Sequence, residues 1–430
     1  MICCMTIAKL SEVEFVDVLH RYISPSAPID RVQALKGRAE QVSQIERAFH
    51  SPGRQVFIHG DRGVGKSSLA LAVANHLSAE GKRPIQIACN RGTAFGLIRT
   101  ACAFLLGEAP VMSDGTKGKV GIGIPGFSAE VETGSHTSKI PELVDLNQAV
   151  AVFRHCADSR SGEAVLIFDE FDALSSKTDR ETFADFIKQV GDQKVAVKLF
   201  FTGIGRSLED LLAAHHSCYR YLANVALDPL GWDGRLSIID AAAEALGLTV
   251  DASTRYRICA ISDGFPHYVH LIAEKLFWAA NDDHAKVVQT TPAHYLKALA
   301  DAVKDIEPFL KELYETATQK YANDYQEILW GVADHHELKR RSADIYQSYL
   351  DIMKQRAEQP MDRAKFNNRM NYLKAKSHGE ILIGSRQGWY ELREPILRGY
   401  IRLRAEAEGI ELAREHPRQS DGRSLALFGR

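Results

Sequence analysis

The 430-residue chain has no apolar stretch reaching the roughly 18 residues that a membrane-spanning helix needs, so no membrane partner is expected. Its start, Met1-Ile2-Cys3-Cys4-Met5-Thr6, lacks the basic region and long apolar core of a secretory leader. Cysteine is sparse, seven in all, with no C-x-x-C spacing. That pattern argues against a zinc ribbon and against a disulfide framework, and it reads as reduced thiols of a cytoplasmic protein. Neither sign of charge dominates, the net value being −2, so overall charge points to no partner. What remains, 45% hydrophobic and 25% charged residues, is ordinary globular composition. The length is enough for two or three domains.

One stretch organises the rest. Gly60-Asp61-Arg62-Gly63-Val64-Gly65-Lys66-Ser67 matches G-x-x-x-x-G-K-[ST]. It follows the apolar run Gln55–His59, which reads as a buried strand, and precedes a helix running from Ser68 to Leu77. Strand, glycine-rich loop and helix in that order form a phosphate site. The glycines let backbone N–H groups turn inward, Lys66 adds a cation, and the helix start adds its partial positive charge. The Ser67 hydroxyl suits Mg²⁺. About a hundred residues on, Ala164-Val-Leu-Ile-Phe-Asp169-Glu170 describes a second buried strand with a carboxylate pair at its C-terminal edge, where open α/β sheets place ligands. Asp169 is expected to complete the metal's ligands, and Glu170 to polarise water. Pro84–Cys89 also reads as a strand; a further one, Val195–Thr202, ends on the polar Thr202, and Arg220 precedes the fifth.

Strands and helices alternate five times, which predicts a mainly parallel three-layer αβα nucleotide domain over 31–230, after an N-terminal helix and connector over 1–30. Residues 107–144, rich in Gly, Pro, Ser and Thr, interrupt it as an insertion, with a hairpin expected around Pro125-Gly126. Residues 231–304 read as a helical lid, with a sharp turn at Asp263-Gly264-Phe265-Pro266-His267. Residues 305–408 read as three helices, two short strands around Ser385-Arg386-Gln387 and a closing helix: an α+β winged helix. A loose tail over 409–430 follows.

With these parts in this order, residues from about 30 to 400 resemble an AAA+ ATPase. Gly37-Arg38 before the first strand, the Gly264-Phe265-Pro266 turn and the winged helix bring the resemblance closest to the initiator clade of origin-recognition-type ATPases. Transposition regulators of the TniB/TnsC type and STAND signalling NTPases are also similar. The resemblance implies ATP and Mg²⁺ as ligands. Gly60 to Ser67 with Ser68 would hold nucleotide, Ser67 and Asp169 the metal. Lys66, Glu170 and the strand-tip sensor Thr202 would act in hydrolysis. Arg220 would serve as a finger reaching the γ-phosphate of a neighbouring copy, with Arg206 as its rival. That in turn implies a homo-oligomer formed with ATP. The family's lid places an arginine after Gly-x-Pro. Here His267 stands there, which leaves open a slow, switch-like enzyme.

Between His336 and Arg404 there are 15 Lys/Arg and 8 Asp/Glu, a balance of +7 that leaves −9 for the remainder. This asymmetry favours a polyanion. Arg363, Asn367, Asn371 and Lys374 lie off the apolar stripe of the third winged-domain helix, and Arg386 stands at the wing tip. All five are candidates for contact with double-stranded DNA. Two functions stay open: a DNA-associated assembly factor in replication, transposition or defence against mobile DNA, and a signalling switch that recruits an effector protein without touching DNA.

Overall fold

The computed structural model describes residues 10–79, 82–89, 92–107, 140–159, 162–174, 176–205, 220–283, 287–318, 324–385 and 387–413. The hairpin expected in the insertion, the helix expected over Leu208–His215, and residues Arg206 and Arg386 lie outside them, as does the tail beyond residue 413. The early helices are α1 (Glu12–Tyr22), α2 (Ala39–Phe49), α3 (Lys66–Leu77), α4 (Ala94–Leu105), α5 (Leu146–Asp158) and α6 (Lys177–Asp192). Five strands lie among them: β1 (Gln55–His59), β2 (Ile85–Ala88), β3 (Ala164–Asp169), β4 (Val197–Gly203) and β5 (Leu222–Ala226). The chain divides into two compact units, one of Gln41–His59 with Ala70–Ala226, the other of the residues up to Glu40, Gly60–Leu69 and those from Leu227 on.

In the first unit the five strands run parallel in the order β2-β3-β4-β1-β5. Their near-continuous apolar sequences suit a sheet covered on both faces. Phe168, Phe201 and Phe57 stand side by side across β3, β4 and β1. Their rings stack 5.3 and 6.1 Å apart, and α4, α5 and α6 bring Leu97, Phe153 and Phe183 into the same core. Each such ring removed from water stabilises the unit by about 1.5–3 kcal/mol. Side chains alternate along a strand, so the next residues, Asp169 on β3 and Thr202 on β4, share the opposite face. This is a P-loop αβα fold.

The second unit holds helices α7 (Trp232–Leu246), α8 (Ala252–Ser262), α9 (Pro266–Asn281) and α10 (Pro292–Lys304). Then come α11 (Pro308–Thr318), α12 (Tyr325–Ala333), α13 (Ser342–Arg356), α14 (Arg363–Tyr372) and α15 (Leu397–Ala407). Strands β6 (Arg340–Arg341), β7 (Leu382–Gly384) and β8 (Trp389–Leu392) make an antiparallel sheet in the order β6-β8-β7. Helices with such a sheet are the arrangement of a winged helix. The sequence predicted two wing strands. The third, β6, is two residues long and carries no periodicity to read. Phe366, Met370 and Leu373 are buried, as their spacing predicts, and Tyr390 faces inward where Trp389 is half-buried.

Two buried arginines on α15 tie this unit together. Arg398 donates to Asp263 Oδ1 at 2.6 Å and to the His336 and Glu337 carbonyls at 2.7 Å. Arg402 donates to the Ala260, Ala333 and His335 carbonyls at 2.6–2.8 Å, and lies 3.0 Å from Asp263. The carbonyls of Ala260 and Ala333 belong to the last turns of α8 and α12, whose dipoles are negative there, so the guanidinium completes both helix ends. Arg257 pairs with the buried Glu406 nearby, and Tyr295 donates to the same carboxylate at 3.0 Å.

Candidate nucleotide site

The phosphate loop belongs to the second unit. Gly65 takes φ +98°, a conformation an L side chain rarely adopts. Val64 is buried and its carbonyl accepts from Arg38 Nη2 at 3.0 Å. Lys66 folds over the loop, its Nζ 3.0 Å from Gly60 O and 2.8 Å from Asp61 O. Ser67 is half-buried in the first turn of α3, and the hydroxyl of Ser68 accepts from Ile29 N–H at 3.1 Å. Asp61 and Arg62 are exposed, and the Arg62 guanidinium lies over the Phe309 ring at 5.4 Å. A methyl group at residue 63 would come within 2.4 Å of Ile396 Cδ1.

The start of α9 sits against this loop. Pro266 Cγ lies 3.9 Å from where a Cβ of residue 65 would stand. His267 Nδ1 is 3.1 Å from the Pro25 carbonyl, so that nitrogen donates. Among the described residues its Nε2 is buried without a hydrogen-bond partner. An orphaned polar atom beside a glycine-rich loop fits a site built for a polar ligand.

The acidic residues belong to the first unit. Thr202 is buried, and its hydroxyl donates a short hydrogen bond to Asp169 Oδ1. Glu170 N–H donates to the same Oδ1 at 3.0 Å and to Thr202 Oγ1 at 3.2 Å. Glu170 is left-handed at φ 55° and exposed, which costs it roughly 1–2 kcal/mol and turns its carboxylate out of the strand. The charge at this edge is felt by Cys89, whose thiol is pushed up by burial first and by Asp169, Asp172 and Glu170 next, so it stays protonated. Among the described residues no three His, Cys, Asp or Glu side chains gather to hold a metal. The Asp169 carboxylate in this unit and the Ser67 hydroxyl in the other are each the hard oxygen donor that Mg²⁺ takes, an ion that commonly needs only one or two protein ligands beside phosphate and water.

Comparison with known families places a match to the AAA ATPase domain over residues 34–198, taking in the phosphate loop and Asp169-Glu170. No curated protein matches the chain. Among solved structures, the Walker-type ATPase of Pyrococcus abyssi is 17% identical over 87% of this chain and 98% of its own, with a TM-score of 0.50, a likeness in fold. Cdc6p of Pyrobaculum aerophilum is 15% identical over 91% and 98%, at 0.46. The Orc1 protein of Aeropyrum pernix, solved in complex with DNA, is 12% identical over 87% and 93%, at 0.44.

Beyond the loop and the two acids, the remaining expected residues fall in several environments. Arg220 is exposed just before β5, its guanidinium 5.8 Å from the neighbouring Tyr221 ring. At the start of α14, Arg363 lies 4.6 Å over Tyr346 and donates to Ser342 at 3.0 Å, and Lys374, two residues past the helix end, lies 5.4 Å over Tyr390. Lys365 and Arg369 both reach Asp324. The exposed residues of α14 are instead chiefly neutral: Asn367, Asn368, Asn371 and Tyr372. Three of the region's cations, Arg340, Arg398 and Arg402, are buried, so its surface is less basic than the count of residues implies. Sequence reasoning assigned no role to Arg38, Ile396 or Phe309. Only Arg38 carried a signal, the Gly37-Arg38 pair. Among the described residues no helix is long and apolar enough to cross a membrane.

Proposed function

We propose that this chain binds ATP with Mg²⁺, hydrolyses it, and uses the bound nucleotide to control its assembly on double-stranded DNA. The observation that supports hydrolysis most is the Thr202–Asp169 hydrogen bond beside a left-handed Glu170. In this reading the loop N–H groups and Lys66 hold the phosphates, Lys66 leaving its two carbonyls as phosphate oxygens draw it in. Ser67 and Asp169 would hold Mg²⁺, which would supply positive charge against the phosphates. Thr202 keeps the Asp169 carboxylate in one orientation. Glu170 orients and polarises the attacking water. His267 Nε2 meets the nucleotide from the lid. Arg220 reaches the site of a neighbouring copy, so hydrolysis per protomer rises with protein concentration. Such an arginine matters by about 10³–10⁵ in rate.

For DNA, the support is the winged-helix arrangement with an exposed asparagine-rich helix, since Asn side chains pair with base edges. Binding of labelled duplex across a salt series tests it. Affinity that falls steeply with salt and drops on charge reversal at Arg363 and Lys374 supports DNA contact. Absence of binding at low salt removes the DNA half and leaves the signalling switch. One observation favours that second reading: Arg62 and Gly63 of the loop meet Phe309 and Ile396 of the C-terminal region directly.

A further inference from the structure

We infer that Arg38 is a positioning residue for the phosphate loop: it holds the Val64–Gly65 peptide with its carbonyl turned away and the Gly65 N–H presented to the ligand. The inference rests on the loop being a nucleotide site.

The C=O and N–H of a trans peptide point in opposite directions. The Val64 carbonyl is committed to Arg38 Nη2 at 3.0 Å, and Arg38 is 7% exposed. With that end fixed, the Gly65 N–H must face the other way. Gly65 is not there for space. A Cβ would meet nothing closer than Pro266 Cγ at 3.9 Å. It is there because φ is +98°, and a peptide held next to such a residue has a flipped alternative within reach. A buried, charged donor on the carbonyl removes that alternative. The residue before Arg38 shows how it is delivered. A Cβ on Gly37 would stand 2.9 Å from Leu230 Cδ1 and 3.0 Å from Gly234 Cα, so only glycine lets this segment cross so close to the start of α7. Burial pushes Arg38 down to about 10, against the pull of Asp228, so it stays charged at neutral pH. The Gly37-Arg38 pair is thereby one device: close crossing, then clamp.

The test is equilibrium binding of ADP, ATP and adenosine, with Mg²⁺, to the full chain and to Arg38→Met. One lost charge-stabilised phosphate contact is expected to weaken ADP and ATP equally, by about 10- to 100-fold. Adenosine, which has no phosphate, is expected to bind as before. Should Arg38→Met fail to fold by circular dichroism, Arg38→Gln carries the same comparison. Its neutral amide still donates, and a loss of about 5-fold is expected. Nucleotide binding within twofold of wild type overturns the inference. So does an equal loss for adenosine, which would place Arg38 on the nucleoside side or in general packing. A wild-type chain that holds no ADP overturns the nucleotide reading itself.

Discussion

Replacing Asp263 by Asn should cost the C-terminal unit about 3 kcal/mol. Asp263 is the carboxylate shared by Arg398 and Arg402, which are 2% and 3% exposed. Asn has the same shape and tolerates the left-handed φ of 51° at least as well, so the backbone turn survives and only the charge is lost. Breaking a buried ion pair costs about 3–5 kcal/mol because the remaining charge is left uncompensated. Both guanidiniums keep their bonds to the carbonyls of His336, Glu337, Ala260, Ala333 and His335, which argues for the low end of that range. All four tryptophans, Trp232, Trp278, Trp330 and Trp389, lie in this unit, so tryptophan fluorescence during urea or thermal unfolding reports on it alone. At about 2–4 °C per kcal/mol for a unit of this size, the midpoint should fall by about 6–12 °C. Asp305→Asn, which loses a pair with Lys275 at a 54% exposed carboxylate, is the control and should cost under about 1 kcal/mol. A loss at Asp263 no larger than at Asp305 would refute the clamp.

His270 is fully buried and pushed down to about 4 by burial first and by His267 second, while the unfolded chain binds this proton near the ordinary 6.5. Stability is therefore complete above pH 6.5 and declines as pH falls to 4, by about 3 kcal/mol in full, and His270→Leu should flatten that decline in urea titrations at each pH. A variant with the wild-type slope would place the acid sensitivity elsewhere. Glu170→Asn should raise stability by about 0.5–1 kcal/mol, because Asn accepts the left-handed backbone more readily, and should abolish phosphate release. Stability and turnover would then move in opposite directions. The double change Asn367→Ala, Asn371→Ala should weaken specific duplex binding about 10-fold with the salt dependence unchanged, since neutral side chains displace no counterions. A change in salt slope would assign them to phosphate contact by way of neighbouring cations.

Local pattern carried much of this fold in the sequence. The phosphate loop, the Asp169-Glu170 strand end and the helices of the winged region rest on short-range signals: glycine spacing, an apolar run, a 3.6-residue period. Lid turn and wing strands were legible for the same reason. Partnerships made across long stretches of chain were not. Arg398 and Arg402 read as part of a basic surface, because nothing nearby in sequence shows that Asp263 and five distant carbonyls will bury them. Arg363 stands at the start of the expected helix and Lys374 just past its end, yet aromatic rings supplied by α13 and β8 hold them. Thr202 was read as a strand tip facing a ligand. The register of β3 and β4 also sets its hydroxyl on Asp169, and register is a property of the whole sheet. The strand β6 was too short to announce itself.

The central claim is that the loop from Gly60 to Ser67 holds nucleotide phosphates. Calorimetric titration of the full chain with ATP and Mg²⁺, beside Lys66→Ala, tests it most directly. One ATP bound per chain, with affinity reduced at least about 100-fold by the substitution, is the predicted result. Equal binding by both proteins, or none by the wild type, would contradict it.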